Sequence, residues 1–446
     1  MTVLKNRALA ILFGGQLIST IGDNLYGIAL LWYVLQLTHS KSALAVTGFA
    51  TSLPPILGVF VGVWVDRWRK KRTMLVSDLL RTAMLTALFV LTEFAHPVFW
   101  WVVAIVVMVE IAGTFFSPAF ASLWPRLVKQ EQYTSASGLS QSITAFASLG
   151  GTLGGGTLMA LMSAPVIFLA NAISFAISVV SLIFVRIDER AQPSASMQVD
   201  GALVDSGQPG GGQVDGSRES SVPDRSREEG QSRRDCAVTA LAAEWKAGMS
   251  VILKSRYLLQ SAATACFNNM SLAGFTVVYT AWVNDVLHRN SLFFGISMAA
   301  LLVGVMVGGV TASTVARRIG YRTLESLTLI GLGVGVSLTG AWANVWWDMA
   351  MLLLAGLMLG LVDGAGGGVS ILLVPEEARG RVFSTLGTIS RLATPIGIAA
   401  LGSLMVYEPL WMVLMLTGIG PCLGGISFLM PYSRAMWNEV ALKMKR

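Results

Sequence analysis

Long apolar runs separated by short polar segments dominate this chain. A membrane-crossing helix needs about 20 mainly apolar residues. Runs of that kind fall at 9–35, 43–65, 74–94, 98–118, 138–162 and 165–186, and again at 258–283, 292–316, 322–342, 346–374, 382–406 and 409–431. The pattern predicts an all-α membrane protein with twelve transmembrane helices. It stops between them, over 187–250, where Ser, Gly, Asp, Glu and Arg predominate and Gly210, Gly211 and Gly212 stand together. A segment so poor in apolar residues cannot offset the entropy of ordering, so this stretch is predicted to be a disordered linker. It divides the chain into a six-helix bundle over 1–186 and a second over 251–446.

Composition supports the membrane reading. Hydrophobic residues make up 54% of the chain and charged residues 13%, and the mean hydropathy is +0.65. No soluble core of this length would hide so much apolar surface. The net charge of +7 does not point to nucleic acid, because the bases sit in short loops, where they act as orientation signals. With the N-terminus inside, Lys5, Arg7, Arg126, Lys129, Arg317, Arg318, Arg322, Arg379, Arg381, Lys443, Lys445 and Arg446 are all cytoplasmic. Lys41 and Arg289 fall outside. Both termini and the linker are therefore expected in the cytoplasm of a multi-pass cell-membrane protein. The N-terminal run, with Lys5 and Arg7 before it and no small-residue cleavage site, reads as a retained helix and not a signal peptide.

The loop between the second and third runs carries chemistry as well as charge. Gly62 is followed by Asp66, Arg67, Arg69, Lys70, Lys71 and Arg72, five bases within seven residues. The positive-inside rule explains the bases, but not the glycine and the acid. This segment resembles the loop 2-3 signature of the major facilitator superfamily, Gly-x-x-x-Asp-Arg-x-Gly-Arg-Arg, with Arg69 at the second glycine. The resemblance implies the major facilitator fold, and a gating role for Gly62, Asp66, Arg67, Lys70 and Lys71 in which Asp66 latches one of two alternating states. A weak parallel repeat fits that fold. Arg317, Arg318, Gly320 and Arg322 stand in the second half where the first has its signature, and Pro125-Arg126 before the span 5 glycines is echoed by Pro375 to Arg381 before Pro395 and Gly397.

Ile18, Ser19, Gly22 and Asp23 in the first run, Asp78 and Arg81 opening the third, and Pro375 to Arg381 together resemble the drug:proton antiporter branch that includes macrolide-efflux proteins. This implies a secondary active transporter exporting hydrophobic or amphipathic drugs in exchange for protons, with a small molecule, protons and the bilayer as partners. A monomer without a cofactor is expected. Two features depart from the branch. Glu110, Ile111, Ala112 and Gly113 stand where many members carry a span 4 arginine, and Gly150-Gly151 replaces a Gly-Pro pair. Siderophore exporters and lysophospholipid transporters share parts of the pattern, so transport of a siderophore, a metabolite or a lysophospholipid remains the alternative, and a non-transporting scaffold or receptor is the third reading.

Ionisable side chains at membrane depth cost about 2.5–3.5 kcal/mol on insertion scales and usually face the bundle interior or a water-filled cavity. Asp23, Glu110, Asp363 and Arg391 fall at such depth and are the candidates for proton coupling or substrate binding. At a carboxylate facing a central cavity, protonation and substrate would compete for one site. Structural alternatives stand beside each role. Asp23 can serve a locally broken helix, Glu110 can form a buried ion pair with Arg81 or Arg391, and Asp363 can mark a hinge where Gly364 to Gly368 kink the helix. Asp78 and Arg81 read as a structural pair. Gly150, Gly151, Gly154 and Gly155 offer a smooth surface for sliding at the interface of the halves. Trp32, Phe49, Phe115, Phe116, Phe146, Asn171, Asn268, Asn269, Phe275 and Trp282 are candidates for the substrate surface.

Enzyme chemistry finds no support. There is no Gly-x-x-x-x-Gly-Lys phosphate loop and no nucleophile–base pair. His39, His96 and His288 and the scattered Cys236, Cys266 and Cys422 show no metal spacing.

Overall fold

The computed structural model describes residues 6–95, 98–128, 133–185, 245–374, 378–430 and 437. They form helices joined by short turns: α1 (Arg7–Thr38), α2 (Lys41–Ser52), α3 (Pro54–Arg67), α4 (Lys70–Phe94), α5 (Phe99–Leu123), α6 (Tyr133–Leu161), α7 (Ala164–Phe184), α8 (Arg256–Asp285), α9 (Ser291–Ile319), α10 (Tyr321–Leu338), α11 (Val345–Leu373), α12 (Arg379–Tyr407), α13 (Leu410–Thr417) and α14 (Ile419–Leu429). Among the described residues, eight helical stretches are long and apolar enough to cross a membrane. The expected linker lies outside the described residues over 187–244, and a helical stretch, 245–254, begins inside its C-terminal end.

Two expected runs are broken in ways their residues explain. The run 43–65 divides at Leu53, because Pro54 and Pro55 bring no backbone N–H and their rings exclude the preceding turn of helix; Pro54 instead starts α3 at the position a helix tolerates it. The final run divides at Gly418, which lies too close to the Gly333 carbonyl of α10 to carry a side chain. Two expected breaks are absent. α1 runs unbroken past Gly22 and Asp23, and α11 runs unbroken through Gly364 to Gly367, where Gly364 packs against Ala312 of α9.

Within the first half, α1 packs on α6 and α7, and α4 on α5 and α7; within the second, α9 packs on α11, α8 on α12, and α10 on α11 and α14. The α9–α11 contact is the closest kind. Gly304 and Gly308 face the backbone of Gly356 and Gly360, a pair of small-xxx-small stripes that bring two helix axes together. The repeat seen in the sequence reappears in helix capping. Lys71 Nζ donates to the carbonyls of Ile183 (3.2 Å) and Val185 (2.8 Å) at the end of α7. Arg322 donates to those of Phe428 (3.1 Å) and Leu429 (2.8 Å) at the end of α14. Each half thus places a base from the start of one helix on the negative pole of another.

The halves meet at one end of the molecule. Gly156 of α6 lies backbone to backbone against Gly295 of α9, Gly48 of α2 against Val277 and Ile398, and Gly402 of α12 against Ala45. Lys41 and Asp285 form an ion pair at 3.9 Å across the same end, and a core containing Ile28, Trp32 and Leu44 with Phe275, Trp282 and Ile398 continues through it. This is the end that carries the α1–α2 turn. Towards the α3–α4 end, cavities separate the halves.

Gly156→Leu should therefore act on this closed end alone. Forcing a larger side chain into packed backbone costs about 1–3 kcal/mol, which corresponds to a population shift of about fivefold or more towards a state open there. An impermeant maleimide applied from the α1–α2 side should label a cysteine placed at Thr51, on the wall of the central cavity, correspondingly faster.

Candidate functional site

Among the described residues, two cavities lie between the halves. The central one, of about 700 Å³, is walled by Tyr26, Ile28, Leu31, Phe294 and Met298, with Asp23, Asn24, Arg81 and Glu110 as its polar face. A second, of about 530 Å³, lies between α3 and α5 on one side and the start of α12 on the other, and is lined by Thr114, Ser117, Ser384, Thr388 and Arg391. Arg81 and Glu110 line both. They stand at the junction, with Asp23 on the central side and Arg391 on the other.

Arg81 is the centre of the polar face. Its Nη1 lies 3.9 Å from Asp23 Oδ2, and its side chain is only 14% exposed. The guanidinium carbon sits 4.7 Å from the Phe175 ring and 6.0 Å from the Phe116 ring, so two aromatic faces supply the remaining attraction a desolvated cation needs. Gly113 makes room for it, since a Cβ there would collide with the guanidinium. Asn171 Nδ2 donates to Asp23 Oδ1 at 3.3 Å, and Ser174 Oγ in turn donates to Asn171 Oδ1 at 2.9 Å. Gly22 fits against that pair only because it has no side chain.

Asp78 is fully buried one turn from Arg81. It accepts a hydrogen bond from Ser178 Oγ at 2.6 Å, tying α4 to α7. Asp78 and Arg81, expected as a structural pair, take different partners: Arg81 reaches from α4 to Asp23 of α1, while Asp78 turns to α7. Asp23 and Glu110 line the same cavity as Arg81 and Asp78 lies one turn from it on α4, so three carboxylates stand around this one cation.

The other sequence candidates spread more widely. Arg391 joins the junction from the second half, but Asp363 is exposed on α11 and lines neither cavity. Gly151, Gly154 and Gly155 pack on Asn24, Leu25 and Ile28 of α1, and Gly150 faces open space. The expected sliding surface between the halves therefore serves α1 instead, and Gly156 alone of this run meets the second half. Gly62, Asp66 and Arg67 sit in the last turns of α3, with the side chains of Asp66 and Arg67 outside the described residues. Lys70 Nζ donates to the Val65 carbonyl at 2.6 Å, capping that helix. Of the expected substrate surface, Trp32, Phe275 and Trp282 belong to the closed-end core, and Asn171 holds Asp23. Tyr26, Phe294 and Met298 line the chamber and were missed, since an apolar residue facing a cavity and one facing a neighbouring helix have the same hydropathy. Among the described residues, no group of three or more His, Cys, Asp or Glu side chains can hold a metal ion.

A model of the Major Facilitator Superfamily matches residues 12–322. Macrolide efflux protein A of Streptococcus pyogenes is 21% identical over 392 residues, covering 87% of this chain and 86% of the relative. Multidrug efflux pump Tap of Mycolicibacterium fortuitum is 21% identical over 413 residues, covering 91% and 90%. Among solved structures, an inward-facing bacterial homologue of the iron transporter ferroportin superposes with a TM-score of 0.68 at 16% identity, covering 95% of this chain and 98% of that one. An inward-facing, occupied bacterial homologue of the human lysosomal transporter Spinster gives 0.67 at 12% identity, covering 94% and 95%. At these identities the superpositions establish the fold.

The geometry separates Asp78 from Asp23. Asp78→Ala leaves Ser178 unpaired in a buried helix contact, at a cost of about 1–3 kcal/mol, and should lower the thermal midpoint of the detergent-solubilised protein by several degrees. Asp23→Asn keeps an acceptor for Asn171 and should leave that midpoint close to the wild-type value.

Proposed function

The chain belongs to the Major Facilitator Superfamily, and from that premise we propose that it is a proton-coupled exporter of hydrophobic or amphipathic drugs, macrolide-like compounds included, working by alternating access. It is a multi-pass transporter of the cell membrane and not an enzyme. In this reading the chain crosses the bilayer twelve times with both ends in the cytoplasm. Bundles over 1–186 and 251–446 act as a monomer and are joined through the linker at 187–250. The distribution of bases along the sequence supports that orientation, and the coincidence of the helices with the apolar runs, the two divided runs included, supports the number of crossings.

One observation carries the proposal. Asp23, Glu110 and Arg81 form the polar face of an otherwise largely apolar chamber between the halves. Apolar walls with a few convergent polar groups suit a lipophilic, weakly basic compound, and the carboxylates offer its ammonium a counter-charge. With the α3–α4 end cytoplasmic, the described state is open to the cytoplasm and closed outside. A proton leaves the carboxylates to the cytoplasm as drug binds. The outer end parts at Gly156 and Gly295 as the latch at Asp66 closes the cytoplasmic end, and drug leaves as a proton arrives from outside. Arg81 keeps Asp23 paired whenever the chamber is empty, limiting the cost of an unpartnered charge. Efflux relatives that match over most of this chain support the drug class; in bacteria such export gives antibiotic resistance.

In proteoliposomes with an acidic lumen, a macrolide or a lipophilic cationic dye should drive proton efflux. Asp23→Asn and Glu110→Gln should each reduce gradient-driven transport by about tenfold or more while gradient-free counterflow persists. Wild-type-like pumping against a gradient by Glu110→Gln would make Glu110 structural. Asp66→Ala should slow counterflow and leave equilibrium drug affinity little changed, as expected for a group that acts on exchange between states and does not touch the ligand.

A further inference from the structure

The basic cluster at the start of α4 divides its labour. Lys70 and Lys71 turn to the carbonyl ends of α3 and α7. Arg69 and Arg72 are exposed and border a separate groove of about 510 Å³ between α4 and α5, which shares no lining residue with the two inter-half cavities. Its walls are Trp68, Val76, Leu80 and Phe115. Trp68 lies flat on Phe115, with ring centroids 6.0 Å apart and planes 8° from parallel, and forms one end of the groove beside the two arginines. Val76, Leu79 and Leu80 are 56%, 60% and 49% exposed along the same face. Ser77 Oγ donates to the Ala112 carbonyl across the floor, holding the two helices together beneath it.

An apolar track that ends in two guanidinium groups matches one kind of molecule in a bilayer. We propose that this groove binds an anionic phospholipid of the surrounding leaflet. An acyl chain lies along Val76, Leu80 and Phe115, and the phosphate sits between Arg69 and Arg72. Guanidinium forks match phosphate oxygens in geometry as well as charge, and anionic headgroups enrich the cytoplasmic leaflet. Assignment to that leaflet rests on the orientation proposed above; the site itself does not. Because Trp68 directly follows α3, an occupied groove braces the segment that joins α3 to α4.

The test is native mass spectrometry of the full-length, delipidated protein with phosphatidylglycerol or phosphatidylcholine of identical acyl chains. The wild type should retain phosphatidylglycerol in preference. Arg69→Ala/Arg72→Ala should lose about thirty-fold in affinity for it, as two arginines each contribute at the level known for bases at anionic surfaces. Val76→Trp, which fills the track, should lower retention of both lipids. Arg317→Ala/Arg318→Ala, which removes exposed bases remote from the groove, should retain phosphatidylglycerol as the wild type does. Equal retention of the two lipids, an unchanged Arg69→Ala/Arg72→Ala protein, or an equal loss on removing Arg317 and Arg318 would overturn the proposal. So would full displacement by inorganic phosphate, which would leave an anion site without a lipid track. Binding in detergent does not depend on transport or orientation, so failure here is distinguishable from failure of the export reading.

Discussion

A guanidinium held at membrane depth must find compensation within the protein, and the arrangement of the first half follows from how Arg81 finds it. The ion-pair partner comes from α1, the aromatic faces from α5 and α7, and the space from Gly113. Asn171 and Ser174 then fix Asp23, and Gly22 lets α1 approach α7 closely enough for that bond to form. Four helices are thereby oriented around one cation. Removing the cation would strand carboxylates in a poorly solvating site, whereas loss of the Asp23 charge still leaves Arg81 the Phe175 and Phe116 faces and Glu110 in the same cavity.

The same requirement places the polar face where a transporter can use it. Arg81 and Glu110 separate the central chamber from the cavity that Arg391 enters from the second half, so charged groups follow one another from one side of the junction to the other. At the opposite end the halves meet through glycine backbone and apolar packing, with the Lys41–Asp285 pair at its edge. Close backbone contact tolerates separation and re-formation without leaving buried charges unpaired. The carboxylate cluster is less forgiving, because a charge parted from its partner in such a site must find another.

Much of this was legible in the sequence, and the division is physical. Helix positions follow from hydropathy, and the family from the loop after Gly62, because both are local in the chain. Asp23 and Glu110 were identifiable as candidates from the cost of charge in an apolar run, and they do share a cavity. Partnership was not legible. Asp78 and Arg81 lie one turn apart, yet one turns to α7 and the other to α1, a choice made by the neighbours each finds. The glycines of α6 were read as a surface between the halves, and all but one of those with a neighbour pack on α1, since a glycine stripe signals close approach without naming the helix that approaches. Trp32, Phe275 and Trp282 were misassigned for a related reason, as aromatic content does not distinguish a chamber wall from a core. Gly364 to Gly367 form continuous helix, with Gly364 packed on α9 and Gly366 facing Glu325 and Tyr257, and the intrinsic cost of glycine in a helix is modest.

The central claim is that substrate and protons compete for the carboxylates around Arg81. Proton release on substrate binding tests it most directly, measured with a pH indicator in weakly buffered detergent solution as a lipophilic cation or macrolide is titrated into purified protein. The account predicts release that saturates with binding and is lost or reduced in Asp23→Asn and Glu110→Gln. Saturable binding with no proton released by the wild type would contradict it, and would leave the Asp23–Arg81–Glu110 cluster as a device for holding helices together.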